Sequence, residues 1–297
     1  MGQLEELFCK KLFFLWQKIG FHITKVDFDS PIPDTRSLKD ALWEKHTELI
    51  GINMNEAYQL KLLDDFSSRF YNEYKNFPRN KTSDKYQYYT RNYSFEAVDG
   101  EMLYCMIRNF KPRRMIEIGS GLSTLLSAKA LTINEAESSI KSIFTAIEPY
   151  PKKYLLDGFP GLSNLIIKNI EDVELSVFDE LEENDILFID GAHTLKIGGA
   201  VQYEYLEILP RLKKGVLIHI HDIMLPAEYD KGRVLKEHHF WNEQYLLQAF
   251  LAFNDAFMVM WAANYMRLKY HDRLEKAFPS YKKDKCGTGS LWIKKIK

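Results

Sequence analysis

The stretch Arg114-Met-Ile-Glu-Ile-Gly-Ser-Gly-Leu-Ser-Thr-Leu-Leu126 predicts a buried strand that turns sharply into a helix. The apolar residues run directly into Gly119-Ser-Gly121, and a helical pattern follows. Glycine suits this turn, since a tight strand-to-helix connection can require a positive φ and a missing Cβ lets a ligand lie on the backbone. The first N–H groups of the helix attract carboxylate or phosphate. The stretch therefore predicts a nucleotide-type binding site at a strand end.

Short apolar runs alternate with helical stretches from about residue 95 onward, which is typical of βα units and a mostly parallel sheet. The predicted strands are Arg114–Ile118, Ser142–Ile147, Leu165–Lys168, Asp185–Ile189, Gly215–Ile220, Phe257–Ala262 and Ser290–Lys294. A long polar segment with Pro279 and Gly287 joins the last two, which predicts a reversed, antiparallel edge strand at the C-terminus. We therefore expect an α/β fold with a doubly wound, mostly parallel, seven-stranded Rossmann-like sheet.

The residues before this region have helical periodicity instead. Apolar residues recur at three- and four-residue intervals over 4–19, and further helical stretches are predicted at 38–50 and 55–75. The proline-rich turn Asp29–Asp34 separates the first helix from the second. We expect residues 1–94 to form a helical N-terminal extension or cap, and residues 95–297 to form the ligand-binding Rossmann-like domain.

The composition indicates a globular protein and limits its partners. Of 297 residues, 46% are hydrophobic and 27% are charged, which is enough apolar content for a core. Forty Lys and Arg against 41 Asp and Glu leave no positive surplus of the kind that nucleic-acid binders carry. We therefore expect no nucleic-acid partner.

The cysteines and the N-terminal apolar run indicate the compartment. Cys9, Cys105 and Cys286 are isolated and odd in number, which favours reduced thiols over a disulfide framework. The run Leu12–Trp16 is too short, and its flanks are too charged, for a signal peptide or a membrane span. We expect a cytoplasmic protein without a membrane span.

The acids around the glycine turn bear on the kind of ligand. The dinucleotide fingerprint requires Gly or Ala at its sixth position, where this chain has Thr124, and a Gly-x-Gly turn also occurs as a plain tight loop. Glu117 precedes the first glycine by two residues, and Glu148 ends the next predicted strand. A carboxylate at that strand tip can accept both ribose hydroxyls of an adenosine ligand through its two oxygens.

Five of the eight histidines lie between residues 193 and 239, beside two aspartates. Asp190-Gly-Ala-His193 and His221-Asp222 each follow a predicted strand, so both should meet at the edge where parallel strands end. Asp190, His221 and Asp222 form a mixed ligand set acceptable to Mg²⁺, Mn²⁺ or Fe²⁺. A hydrogen-bonded Asp and His cluster without a metal is the alternative. Of the other three histidines in this group, His219 is predicted to be a core residue, and His238 and His239 are predicted to be exposed.

Taken together, these motifs resemble the class I S-adenosylmethionine (SAM)-dependent methyltransferases of the methyltransferase-24 type. The resemblance covers about two thirds of the chain and rests on Glu117–Thr124, Phe188–His193, His219–Pro226, Trp241–Gln244 and Gly289–Trp292. In the helical preface, Ser30–Pro33 and Gly51–Asn53 are similar to the N-terminal extensions of such proteins. The resemblance implies that SAM is held by Glu117, Gly119, Ser120, Gly121, Ser123, Glu148 and Asp190.

The related macrocin-type sugar O-methyltransferases imply roles for the acid and histidine cluster. Their pattern maps a metal onto Asp190, His221 and Asp222, and a general base onto His193. His221 stands where those enzymes have Glu, which lowers the negative charge of the metal site. The implied metal is Mg²⁺ or Mn²⁺, and a homo-oligomer is compatible with the family.

We therefore expect a SAM-dependent O-methyltransferase that acts on a hydroxyl of a sugar, a glycan precursor or another small polar acceptor, with His193 and Asp190 as catalytic residues. Tyr88, Tyr89 and segment 228–243 are predicted to form walls or a lid over the acceptor. A regulatory protein that binds SAM or a nucleotide without catalysis is one alternative. A nicotinamide-dependent oxidoreductase is another, which Thr124 and the position of Glu117 disfavour.

Overall fold

The structure is a computed structural model that describes residues 2–282 and 287–297 and contains a seven-stranded sheet. The strands are β1 (Arg114–Ile118), β2 (Ile143–Ile147), β3 (Asn164–Ile166), β4 (Ile186–Ile189), β5 (Leu217–Ile220), β6 (Phe257–Ala262) and β7 (Leu291–Lys295). Their order is β3-β2-β1-β4-β5-β7-β6, and the first five strands pair in parallel. The predicted α/β, doubly wound Rossmann-like sheet is confirmed.

The last strand has the predicted reversed direction, since β7 pairs antiparallel with both β5 and β6. Its position corrects the expectation, because β7 lies between β5 and β6 and β6 forms the edge. Leu291, Trp292 and Ile293 are almost fully buried, as a strand with a neighbour on each side requires. The sequence predicts the direction of such a strand but carries no local signal for its neighbours.

Along the chain, helices precede the first strand and connect the later ones. The α-helices are α1 (Gly2–Glu5), α2 (Phe13–Lys18), α3 (Ala41–Glu44), α4 (Glu56–Tyr74), α5 (Asp99–Phe110), α6 (Leu122–Ser138), α7 (Lys153–Leu156), α8 (Ser176–Asp179), α9 (Ala200–Tyr203), α10 (Leu209–Arg211), α11 (Lys231–Leu235), α12 (Glu243–Leu251) and α13 (Ala263–Ala277). Glu6–Lys11 and Glu204–Ile208 are π-helical, and Thr35–Ser37 and Ile170–Asp172 are 3₁₀-helical.

The helical preface follows the prediction in part. The helix predicted at 55–75 is α4, and the one at 4–19 occurs as α1, a π-helical turn and α2. The helix predicted at 38–50 is wrong beyond α3, because Lys45 is extended and Leu49 has a φ of 53°. A tertiary contact replaces the helical bonding there, since the N–H of Thr47 donates to the carbonyl of Pro226.

The chain divides into two compact units by its contacts. One comprises the N-terminal residues up to Lys45 together with Tyr229–Phe240, and the other comprises His46–Glu228 with Trp241–Lys297. In the first unit, the indole N–H of Trp43 donates to the carbonyl of Tyr229 at 3.0 Å. The proposed boundary between residues 94 and 95 of the extension stays a prediction.

The larger unit holds the core and the strand ends that matter for function. Both faces of the sheet are covered, and Phe144, Phe188, Trp261 and Trp292 are completely buried. Because β1, β2, β4 and β5 are parallel, their carboxyl ends share one edge. Within the described ranges, none of the helices has the length and apolar character needed to cross a bilayer.

Candidate active site

The glycine turn after β1 has the geometry that its sequence requires. Gly119 has a φ of 80°, and a Cβ added there would lie 2.0 Å from the carbonyl oxygen of Asp190. Its N–H donates to the carbonyl of Ile147 at the end of β2. Any side chain at residue 119 would therefore both strain the backbone and separate β1 from β4. Gly121 differs, since no atom lies within 4 Å of an added Cβ.

Glu148 lies beside this turn and is fixed by backbone groups. One carboxylate oxygen accepts a hydrogen bond from the N–H of Ser120 at 3.1 Å, and the other accepts one from the N–H of Tyr150 at 2.8 Å. A cleft of about 440 Å³ opens along Gly119, Ser120, Glu148, Asp190 and Glu204. Of the predicted cofactor residues, Gly119, Ser120, Glu148 and Asp190 therefore line one cavity. Glu117, Gly121 and Ser123 are not among its lining residues.

Glu117 and Ser123 lie beneath the turn. Glu117 is fully buried, and one of its carboxylate oxygens accepts a hydrogen bond from the hydroxyl of Ser123 at 2.5 Å. Burial raises the pKa of Glu117 to about 8, although the bonds from Ser123 and Thr124 oppose the shift. The second oxygen of Glu117 and the hydroxyl of Ser120 are buried without a hydrogen-bond partner. Two such polar atoms beside a glycine cradle fit a polar ligand.

The acid and histidine cluster assembles at the ends of β4 and β5, as predicted. His221 Nδ1 lies 3.3 Å from Asp190 Oδ1 and 3.8 Å from Asp222 Oδ2. His193 Nε2 lies 3.4 Å from Asp222 Oδ2 and 3.9 Å from Asp190 Oδ1. Burial alone would lower the pKa of His221, but Asp190 and Asp222 outweigh it and raise that pKa well above its ordinary value.

One metal-compatible set lies within this cluster. Ligand atoms of Asp190, His193 and Asp222 all lie within 4.8 Å of one another, in the part of the chain that the structure describes. This set contains His193 in place of the predicted His221. His221 Nδ1 is adjacent to this set, 3.3 Å from Asp190 Oδ1.

Glu243 also belongs to the site, although the sequence did not indicate a role for it. Its carboxylate is buried, with Oε2 lying 2.8 Å from His193 Nδ1 and Oε1 accepting a hydrogen bond from the hydroxyl of Tyr205 at 3.1 Å. Although burial lowers the pKa of His193, the carboxylates of Glu243, Asp222 and Asp190 raise it overall. In the sequence, Glu243 was marked only by its position in Trp241–Gln244, one of the stretches on which the family resemblance rests.

Asp99 also joins the cluster from a distant part of the chain. Its Oδ2 lies 3.5 Å from His221 Nε2, and its carboxylate accepts hydrogen bonds from the N–H groups of Gly289 and Ser290. The motif Gly289–Trp292 therefore contacts the site through Asp99. Asp99 is the first residue of the largely buried helix α5, and no motif in the sequence indicated a role for it in the site.

Three other predicted roles have clear outcomes. His219 is a core residue, since it is fully buried, stacks on Phe188 at 3.9 Å and shares a 3.0 Å hydrogen bond with Ser290. His238 and His239 are exposed, as expected. Tyr88 is buried and its hydroxyl donates to the carbonyl of Phe95, so it is a packing residue and not the predicted wall.

The other predictions concern Tyr89, segment 228–243 and the three cysteines. Tyr89 is half-buried. Segment 228–243 is divided, with Tyr229–Phe240 in the smaller compact unit and Trp241–Glu243 in the larger one. Cys105 is a buried free thiol whose pKa burial raises, and Cys9 is a half-buried free thiol, while Cys286 lies outside the described residues.

A larger cleft of about 660 Å³ lies elsewhere in the same unit. It is bounded by segment 46–56, by Pro226 in the loop after β5 and by Tyr265, Leu268 and Lys269 of α13. Lys269 donates to Glu56 at 2.8 Å within it, and this bond is the main reason that the pKa of Glu56 falls to about 2. None of the residues predicted for cofactor, base or metal lines this cleft.

Comparisons with known proteins identify the family of the chain. Residues 116–223 match the profile of a family described as a methyltransferase domain. A protein of Archaeoglobus fulgidus, described as uncharacterized, is 35% identical over 167 residues, which cover 54% of this chain and 73% of that protein. The plantazolicin methyltransferase BpumL, solved with S-adenosylhomocysteine (SAH), is 12% identical over 82% of this chain and 98% of its own, with a TM-score of 0.38.

The matched residues run from β1 to the loop after β5, and thus include the glycine turn, Glu148, Asp190 and Asp222. The chain belongs to the class I SAM-dependent methyltransferases, in the family of the methyltransferase-24 type.

Proposed function

We propose that the chain transfers the methyl group of SAM to a hydroxyl of a sugar, a glycan precursor or another small polar acceptor, with His193 as the general base. The observation that carries this proposal is the position of His193 Nε2. It lies 3.4 Å from Asp222 and 3.9 Å from Asp190, and Asp190 also lines the cleft of the glycine turn. A basic nitrogen thus lies beside the cavity that suits the cofactor.

The cleft supports SAM as the methyl donor. Glu148 offers two carboxylate oxygens to a ribose diol, and Gly119 and Ser120 offer backbone that a ligand can approach closely. The sulfonium methyl is a strong electrophile by itself. The residues therefore have to align the methyl with the acceptor oxygen and remove the hydroxyl proton.

His193 suits proton removal near neutral pH. An imidazole has an ordinary pKa near 6.5, and the surrounding carboxylates raise the pKa of His193 above this value, because they stabilise the imidazolium that forms when the proton arrives. Asp190 supports this role from the cofactor side of the cluster. The macrocin-type relationship and the sugar acceptor are parts of this proposal, as are a cytoplasmic location and a homo-oligomer.

A divalent cation, Mg²⁺ or Mn²⁺, is a further part of the proposal. The carboxylate oxygens of Asp190 and Asp222 lie within 4.8 Å of each other and suit such an ion. When bound, it would lower the pKa of the acceptor hydroxyl. His193 Nε2 cannot both bind a cation and accept a proton, so we assign the cation to Asp190 and Asp222, with His221 as the third predicted ligand.

The test is transfer of isotope-labelled methyl from SAM to a panel of free sugars, sugar phosphates and nucleotide sugars. We expect an alkali-stable methyl ether as the product. His193→Ala should bind SAM within a few-fold of the wild type and lose about 10²–10⁴ in turnover, the range for a positioned general base. The exposed His238→Ala is the matched control.

Transfer to a carboxylate or an amine, or near-normal turnover in His193→Ala, would contradict the proposal. SAM binding without transfer to any acceptor in the panel would favour the non-catalytic, regulatory alternative.

A further inference from the structure

The segment Trp241–Gln244, at the start of α12, contacts the loop that carries the proposed base. The backbone N–H groups of Asn242 and Glu243 donate to the carbonyl of His193 at 3.0 and 3.2 Å. The side-chain oxygen of Asn242 accepts a hydrogen bond from the N–H of Leu195 at 2.6 Å. Segment 193–195 is therefore fixed by two backbone hydrogen bonds and by one hydrogen bond to the side chain of Asn242.

The imidazole itself is held by two residues of the same segment. The ring of Trp241 lies 4.5 Å from the imidazole of His193, centroid to centroid. Glu243 Oε2 lies 2.8 Å from Nδ1, and its other oxygen is held by the hydroxyl of Tyr205. Only 1% of Glu243 is exposed, so these contacts are shielded from bulk water.

The chemistry of this contact decides which imidazole nitrogen is basic. Nδ1 lies 2.8 Å from Glu243, at hydrogen-bonding distance, whereas Nε2 lies 3.4 Å from Asp222 and 3.9 Å from Asp190. An ionised carboxylate accepts hydrogen bonds and cannot donate one, so the hydrogen of a neutral imidazole lies on Nδ1, where the contact is shortest. The lone pair then lies on Nε2, the nitrogen that faces Asp190 and Asp222. With the opposite tautomer, Nε2 would carry a hydrogen and could not accept the acceptor's proton.

We propose that Glu243 is a positioning residue that holds His193 as the Nδ1–H tautomer, with Nε2 as the basic atom. The inference rests on the proposed function in so far as His193 is the base, but the tautomer itself is a property of the free chain. A carboxylate that orients a histidine in this way also stabilises the imidazolium formed during proton transfer.

The tautomer is measured directly by ¹⁵N NMR of histidine-labelled protein with SAH, without cation or acceptor, and the His193 signals are assigned from their absence in His193→Ala. Because the carboxylates raise the pKa of His193, the spectra are recorded above that pKa, where the imidazole is neutral. We expect Nδ1–H in the wild type, and a mixture or the Nε2–H form in Glu243→Gln, whose amide can donate to Nδ1. An Nε2–H tautomer in the wild type would overturn the inference. This outcome is independent of whether any acceptor is methylated.

Kinetic measurements separate the positioning of His193 from the binding of SAM. Glu243 does not line the cleft, so Glu243→Gln should keep the SAM Kd within about threefold while kcat falls about 10²-fold or more, within the range for general base catalysis. Tyr205→Phe, which leaves the carboxylate on Nδ1, should lose less than about tenfold. A normal kcat in a folded Glu243→Gln would overturn the inference, and if that variant does not fold, the wild-type spectrum decides.

Discussion

The carbonyl oxygen of Asp190 lies so close to Gly119 that a Cβ at residue 119 would approach it to 2.0 Å. This contact joins the end of β1 to the end of β4. It brings the glycine turn, which suits the cofactor, beside the loop that carries the proposed base. The close approach of two strand ends is thus the relationship on which both parts of the site depend.

Gly119→Ala should destabilise the protein, because the added methyl meets backbone and the residue has a positive φ. We expect a loss of about 2 kcal/mol or more in the free energy of unfolding, measured by urea denaturation. Gly121→Ala is the matched control, since its Cβ would meet no atom within 4 Å, and it should lose clearly less. Equal stability of the two variants would contradict the geometry of the turn.

Glu148→Ala should weaken SAM binding by about 1.5–3 kcal/mol, the contribution of a charge-assisted hydrogen-bonding group, measured by calorimetry. The carboxylate is held in place by the N–H groups of Ser120 and Tyr150 and faces the cleft. The exposed Glu180→Gln serves as a control for a general change in charge. If Glu148→Ala binds SAM as the wild type does, the ribose assignment is wrong.

The pKa of Glu117 predicts a pH-dependent stability. It rises from an ordinary 4.5 to about 8 on folding, mainly through burial, so the folded chain binds more protons than the unfolded chain between these values. The stabilisation is therefore full below about pH 4.5 and is lost as the pH rises toward 8. Glu117→Gln should remove this component, on the order of a few kcal/mol between pH 5 and pH 8.

The measurement is urea unfolding of the wild type and Glu117→Gln across that range, in the absence of SAM. The difference between the two proteins isolates Glu117 from the other buried acids and histidines. Parallel curves would show that Glu117 does not change its protonation on unfolding.

The sequence predicted the sheet well because each strand has a local signal. Strands β1 and β6 have the predicted bounds, and β2 begins one residue later than predicted. The place of β7 between β5 and β6 was not predictable, since pairing partners are chosen by burial across the whole sheet. The helix at 38–50 failed for a similar reason, because Thr47 bonds to the distant Pro226.

The site was predictable where its residues follow strands. Asp190, His193, His221 and Asp222 meet because parallel strands end at one edge. Glu243 and Asp99 reach the same cluster from helices that are distant in sequence. Their contacts are tertiary, so spacing along the chain could not have shown them.

The cation proposal predicts a specific pattern of Mn²⁺ binding. We expect Asp222→Asn to weaken Mn²⁺ binding at least about tenfold, since one of two carboxylates is lost, while His193→Ala retains it. Electron paramagnetic resonance titration of metal-stripped protein measures both. Loss of binding in His193→Ala would place the ion on Nε2 and contradict His193 as the base, and absence of binding in the wild type would remove the cation.

Calorimetric titration of the purified chain with SAM, SAH and NADH shows whether this cleft binds SAM. We expect SAM and SAH each to bind once per chain, and NADH not to bind, because Thr124 replaces the third small residue of the dinucleotide turn. SAM at 100 times its Kd should also raise the free energy of unfolding by about 2.7 kcal/mol. Binding of NADH without binding of SAM or SAH would contradict the account.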